Sequence, residues 1–350
     1  MNKTWLTTLF GIKYPIIQAP MAGIQKSAMT IAVSNSGCLG SLPCAMLSAS
    51  ELRDEITKIT NKTSQPYNVN FFCHKTPEID SEREKSWKKC LALKYYEEFQ
   101  INTSDENNVK STRLPFDNEM ADVMEEFKPP VVSFHFGLPS SDLLTRVKSW
   151  NSKIISTATT VEEAIWLESQ GVDAIIAQGT EAGGHRGTFQ NENPSTQMGL
   201  FSLLPQVVNS VKVPVIAAGG IVDKKTVNAA IKLGASGIQV GTAFMLCHEA
   251  TTSEIHRNAL GQPNIKTAIT NVFTGKPARG IVNRLVRELG PISDQVPEFP
   301  RAANFLTALR EKAESRKCGD FSPLWAGQNV SGCKQAPCSE IINELIKGLE

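Results

Sequence analysis

The chain has almost no excess of charge: 36 Lys and Arg stand against 35 Asp and Glu, a formal net charge of +1. So balanced a surface offers no basic field to a polyanion, and nucleic acid is not an expected partner. CxxC pairs are also absent. The eight cysteines, Cys38, Cys44, Cys73, Cys90, Cys247, Cys318, Cys333 and Cys338, are scattered through apolar runs, as in a reduced cytosolic protein rather than a disulfide framework. No His or further Cys stands near the late trio Cys318, Cys333 and Cys338 to complete a tetrahedral set, so no metal is expected. The N-terminal stretch MNKTWLTTLFGIKYPIIQ carries no A-x-A-like cleavage site, and its apolar run is broken by Gly11 and Lys13, too short for a membrane span. The expectation is a cytoplasmic protein with no membrane partner, a monomer or homodimer.

What is present is a repeating alternation. Of the 350 residues, 41% are hydrophobic, ample for one large core. Eight strand candidates follow one another: Pro15–Met21, Cys38–Cys44, Tyr67–His74, Val131–Gly137, Lys153–Thr159, Ala174–Gly179, Val213–Gly220 and Gly237–Phe244. Most are apolar without clean alternation, as parallel strands buried on both faces should be. Helix punctuation lies between them. Ser48–Glu51 and Thr160–Glu163 have capping-box spacing, Asp223 opens a helix, and Gly171 and Gly234 close helices. Eight βα repeats predict an α/β fold, a closed (β/α)8 barrel, rather than a doubly wound sheet. Two stretches fall outside the repeat: a charged, helix-prone insertion of about 75–130 after strand three, polar at Asn102–Ser111, and a tail of 247–350 with helical patterns near Ala302–Lys317 and Ser339–Leu349. The expected division is a barrel over 1–246, carrying the insertion, and a helical extension packed at its mouth.

In such a barrel the site lies at the C-terminal strand ends. Strand seven runs into Gly219-Gly220 and strand eight into Gln239-Val240-Gly241-Thr242. Paired glycines there let backbone amides approach a phosphate. Strand one ends in Ala19-Pro20-Met21-Ala22. Asn70 and Gln178 place amides at strand ends, able to read the edge of a planar heterocycle or, equally, to tie down a loop. After strand six the run Gln178-Gly-Thr-Glu-Ala-Gly183-Gly-His185-Arg186 presents one imidazole beside the proposed ligand. His74 and His135 lie in apolar strands near the mouth. His248 and His256, in the tail, read as structural. Arg186 and Arg279 are candidates to attract an anionic substrate, as is His135 to touch it.

The segments APMAG, NVNFF, AQGTEAGGHRG, PVIAAGGI and GIQVGTAF resemble the nitronate monooxygenases, formerly called 2-nitropropane dioxygenases. TGKPARGIVN and GDFSPLWAGQ look like the class I members. The resemblance runs from about Tyr14 to Gly332 and implies a TIM barrel with non-covalent FMN. It places Ala19–Ala22 and Asn70 at the isoalloxazine, Gln178 and Gly183 in contact with the flavin, Gly220 and Gln239–Thr242 at the ribityl phosphate end beside Gly219, and His185 as the catalytic histidine. Tyr95 and Tyr96 lie in the insertion, where members of the family differ, and the resemblance assigns them no role. The implied reaction is oxidation of an alkyl nitronate by dioxygen, with propionate 3-nitronate giving malonate semialdehyde and nitrite or nitrate, a detoxification. The alternatives are an NAD(P)H-dependent FMN quinone or enoyl-thioester reductase, and a flavin-binding sensor without turnover.

Overall fold

A computed structural model describes residues 5–102 and 113–350. The polar centre of the insertion therefore falls almost wholly outside the described residues. Eleven strands occur among those described: β1 (Ile16–Gln18), β2 (Gly40–Pro43), β3 (Tyr67–Phe72), β4 (Val131–His135), β5 (Lys153–Ala158), β6 (Ala174–Gln178), β7 (Gly184–His185), β8 (Val215–Ala218), β9 (Gly237–Val240), β10 (Thr267–Thr270) and β11 (Ala278–Ile281). Eight of them form one parallel sheet in the order β1-β9-β8-β6-β5-β4-β3-β2. A parallel bridge between Ile17 and Leu39 brings β1 back to β2, with Gln18 N donating to Leu39 O at 3.0 Å. The expected eight-stranded barrel is the observed fold, and each expected strand contains an observed one.

The barrel has two apolar layers. Strand residues such as Leu42, Val69, Val132 and Ile175 pack outward against the helices. Ile17, Leu39, Ile155, Ile176 and Ile216 pack with Leu6 and Phe10 of the helix Trp5–Phe10, which plugs the N-terminal end. A Cβ on Gly237 would stand 2.4 Å from Leu6 Cδ2, so the plug and the strand fit only because that residue is glycine. The ligand-sized opening is at the other end, where the βα loops are.

The capping signals act as read, with one variation. Ser48 and Glu51 make a full capping box, and Asp223 caps Lys224–Lys232 through Thr226. Thr160 accepts from Glu163 N, but the buried Glu163 carboxylate turns elsewhere. It takes Thr159 N at 2.7 Å, Phe189 N at 2.8 Å and Gln190 N at 3.2 Å, pinning the chain beyond β7 to the barrel.

The tail departs from a purely helical extension. Its helices Ala302–Ser315 and Cys338–Ile346 are present, but β10 and β11 form an antiparallel pair to which β7 adds as a third strand. These strands are only two to four residues long, too short for periodicity to mark, and β11 carries Arg279 and Gly280. The insertion's helix Ser81–Leu91 and the tail helix Ala302–Ser315 share a second apolar cluster that includes Trp87, Phe99, Leu309 and Phe321. Tyr95 and Tyr96 are buried in that cluster. Among the described residues no helix is long and apolar enough to cross a membrane.

Candidate active site

The loops at the C-terminal strand ends surround a pocket of some 1410 Å³, counting its open mouth. Its floor is polar because inward-facing strand residues there are short amides and hydroxyls. Asn68 Nδ2 donates to Ser41 Oγ at 3.0 Å and to Ser133 Oγ at 2.9 Å, and Asn70 Nδ2 also reaches Ser133 Oγ at 2.9 Å. The loop after β1 is held by a buried pair the sequence reading did not single out. Gln25 Nε2 donates to Gln18 Oε1 at 3.0 Å, and Ser41 N donates to the same oxygen at 3.1 Å. This fixes Ala19, Pro20, Met21 and Ala22 along one wall.

Gly219 and Gly220 also line the pocket, at φ +122° and +69°, a left-handed stretch in which a side chain would be strained. Gly241 and Thr242 lie next to them in the lining, and Gly327 N donates to Thr242 Oγ1 at 3.0 Å. The tail thus closes this end. A Cβ on Gly183 would lie 2.5 Å from Gly327 N, so the β6 loop and the tail can pass only because both are glycine. Gln239 belongs to the lining, and its Oε1 is sealed from solvent without a partner among the described residues. The Val240 side chain instead packs in the outer core.

His185 sits half-buried in the lining, on β7. Its Nε2 is 2.9 Å from Thr274 Oγ1. Ring centroids of Phe299, Trp325 and Phe136 lie 5.2, 5.4 and 6.0 Å away. This apolar surround, then the nearby Arg113 and other basic groups, holds the imidazole well below its ordinary 6.5, so the ring is neutral. The His185 carbonyl accepts from Gln178 Nε2 at 3.0 Å and from His135 Nε2 at 3.2 Å. Gln178 Oε1 accepts Gly187 N at 2.9 Å. Both ends of the Gln178 amide therefore tie down the histidine loop, though the residue still lines the pocket. His135 lies in the lining too. Burial pushes it down to about 4, and its Nδ1 faces Thr157 Oγ1 at 3.1 Å.

Arg186 and Arg279 are absent from the lining. Arg186 is fully buried, and its guanidinium donates to Gln178 O at 2.6 Å and to Gly179 O at 2.7 Å. Arg279 Nε donates to Thr180 O at 2.6 Å, and its Nη1 to Thr267 Oγ1 at 3.1 Å. Both cations hold the backbone of the β6 loop. The basic side chain that does line the pocket is Arg113, and Lys276 lies behind, its ammonium 4.9 Å from the Phe136 ring centroid and paired with Glu192. Trp325, Gly327 and Asn329 of the tail are further lining residues missed in the sequence. His256 positions one of them, its Nε2 lying 3.0 Å from Trp325 O.

This arrangement has relatives. The family model for nitronate monooxygenase matches residues 3–348. A Pseudomonas aeruginosa protein named nitronate monooxygenase is 37% identical over 347 residues, covering 98% of each chain. The chain belongs to the nitronate monooxygenase family. Among solved structures, nitroalkane oxidase from Streptomyces ansochromogenes is 34% identical with a TM-score of 0.88, over 98% of this chain and 97% of that one. FabK from Thermotoga maritima is 25% identical with a TM-score of 0.75, over 99% and 96%. The family resemblance read from AQGTEAGGHRG thus extends over nearly the whole chain. In this member of the family that segment supplies the Gly183 crossing, the His185 ring and the Arg186 anchor.

Proposed function

We propose that this chain oxidises alkyl nitronates with dioxygen on a bound FMN. Propionate 3-nitronate is the proposed substrate, with malonate semialdehyde and nitrite or nitrate as products, in a detoxifying role. What supports the reading is a half-buried imidazole, His185, in an aromatic surround in a pocket also lined by Gly219, Gly220 and Thr242.

The residues suit FMN. Gln239 Oε1 is a sealed acceptor without a donor, and Asn70 Oδ1 has no hydrogen bond among the described residues; the N–H and O–H groups of a flavin ring and ribityl chain would satisfy them. Gly219, Gly220 and Thr242 would take the phosphate. When bound, the flavin supplies the redox chemistry, and the protein supplies placement and electrostatics.

Thr274 Oγ1 has a carbonyl of its own to donate to, Lys276 O at 3.4 Å. It therefore accepts the Nε2–H of His185 and leaves Nδ1 as the basic nitrogen. A nitronate has already lost its acidic α-proton, and its charge would face Arg113 in the lining. A neutral nitroalkane must first give its α-proton, and Nδ1 of His185 takes it. Phe136, Phe299 and Trp325 keep water from competing.

The test is oxygen uptake. Purified protein should consume propionate 3-nitronate with dioxygen and without NAD(P)H, and should release FMN on denaturation. Release of FAD, or a rate wholly dependent on NAD(P)H and an added quinone or enoyl thioester, overturns the reading.

A further inference from the structure

We propose that Cys247, Glu249 and Cys338 form a zinc site that fastens the C-terminal helix to the barrel. In sequence the three are separated by 89 positions or more at the long step, which is why the late cysteines look incomplete as ligands. In the fold the tail returns to the loop after β9, and the two thiol sulfurs and a carboxylate oxygen all lie within 4.8 Å of one another. Both cysteines are fully buried.

Two thiolates and a carboxylate are a donor set suited to zinc. A tetrahedral centre with zinc–sulfur bonds near 2.3 Å has edges of about 3.8 Å, so the atoms need draw in by only about 1 Å. Glu249 is half-buried and accepts from the Cys338 amide at 3.0 and 3.2 Å, with no basic side chain paired to it among the described residues. Zinc entering would displace the two thiol protons to solvent and leave the carboxylate's free lone pairs to the metal. Cys333, earlier in the same tail, already donates to Thr242 O at 3.0 Å, so the fourth position is left to water.

The ligands come from two parts of the chain. Cys338 opens the helix Cys338–Ile346, which packs on helices Ser27–Asn35 and Lys224–Lys232. Cys247 and Glu249 follow the last barrel strand. A metal here would clamp the tail whose upstream residues, Trp325 to Asn329, wall the active site.

The test uses reduced, chelator-treated full-length protein titrated anaerobically with Co²⁺. An equimolar amount should give a thiolate-to-cobalt charge-transfer band in the near ultraviolet and tetrahedral bands in the visible. Zn²⁺ should displace both and raise the thermal midpoint. Cys338→Ser should abolish the charge-transfer band. Glu249→Gln, which keeps the size of the side chain and an acceptor for the Cys338 amide, should weaken cobalt binding by about tenfold or more with unchanged circular dichroism. The proposal fails if no charge-transfer band appears, if the band is the same in Glu249→Gln, or if the mass of unreduced protein shows a Cys247–Cys338 disulfide.

Discussion

Thr274 Oγ1 lies 2.9 Å from Nε2 of His185, so a residue of the C-terminal tail orients the imidazole that the β6 loop presents. The partner is 89 residues away in sequence, and the contact links the two halves of the candidate site. Thr274→Val keeps the shape and removes the hydroxyl. Loss of one neutral hydrogen bond is worth about 1 kcal/mol, so the rate with a neutral nitroalkane should fall about fivefold. Thr274→Ser should restore it, and nitronate turnover should change little. Equal losses on both substrates would make Thr274 merely structural.

His185→Asn removes the titratable group and keeps polarity. Loss of a positioned general base costs on the order of 10²–10⁴ in rate, and the neutral nitroalkane reaction should bear it. The nitronate reaction should suffer less, and flavin content should stay near wild type. Normal turnover of both forms with full flavin would show His185 to be a bystander.

The pH dependence follows from the same environment. Burial first, then Arg113, holds His185 well below 6.5, so its basic form persists through mildly acidic solution. The kcat/KM for a neutral nitroalkane should show no acid limb near 6.5. A limb there in wild type that vanishes in His185→Asn would mean the imidazole is solvated during turnover.

Stability should show the opposite sensitivity. Burial pushes His74 and His256 each down to about 4 in the folded state. Between there and 6.5 the unfolded chain binds more protons, so this stability is whole above 6.5 and is lost as pH falls. At about pH 5 each histidine should cost about 2 kcal/mol relative to neutral pH. Urea titrations across that range measure it. His256→Gln should flatten the slope, and an unchanged slope would remove His256 from the account.

Arg186 gives a prediction against the simple view of a cation near an active site. Its bonds run to the carbonyls of Gln178 and Gly179. Arg186→Met should strand those acceptors, cost on the order of 3 kcal/mol and lower flavin retention. A raised KM for an anionic substrate with unchanged urea stability would instead restore Arg186 to substrate binding.

The sequence by itself was enough for the barrel and for the paired glycines in the pocket wall. Each βα unit carries a buried apolar run, some add a capping residue or a closing glycine, and these signals are local. The pair Gly219-Gly220 is legible for the same reason, because it depends on the backbone conformation of its own two residues. The tertiary structure decided where long side chains go and what meets across the chain. Arg186 stands beside His185 in sequence, just past the end of β7, yet its guanidinium turns into loop carbonyls. Gln178 spends its amide on the loop that follows it. Arg113, Thr274, Trp325 and the Cys247–Glu249–Cys338 cluster carry no local signal at all. They become neighbours only because the insertion and the tail fold back over the mouth and flank of the barrel, where burial and the need to pair polar atoms select their contacts.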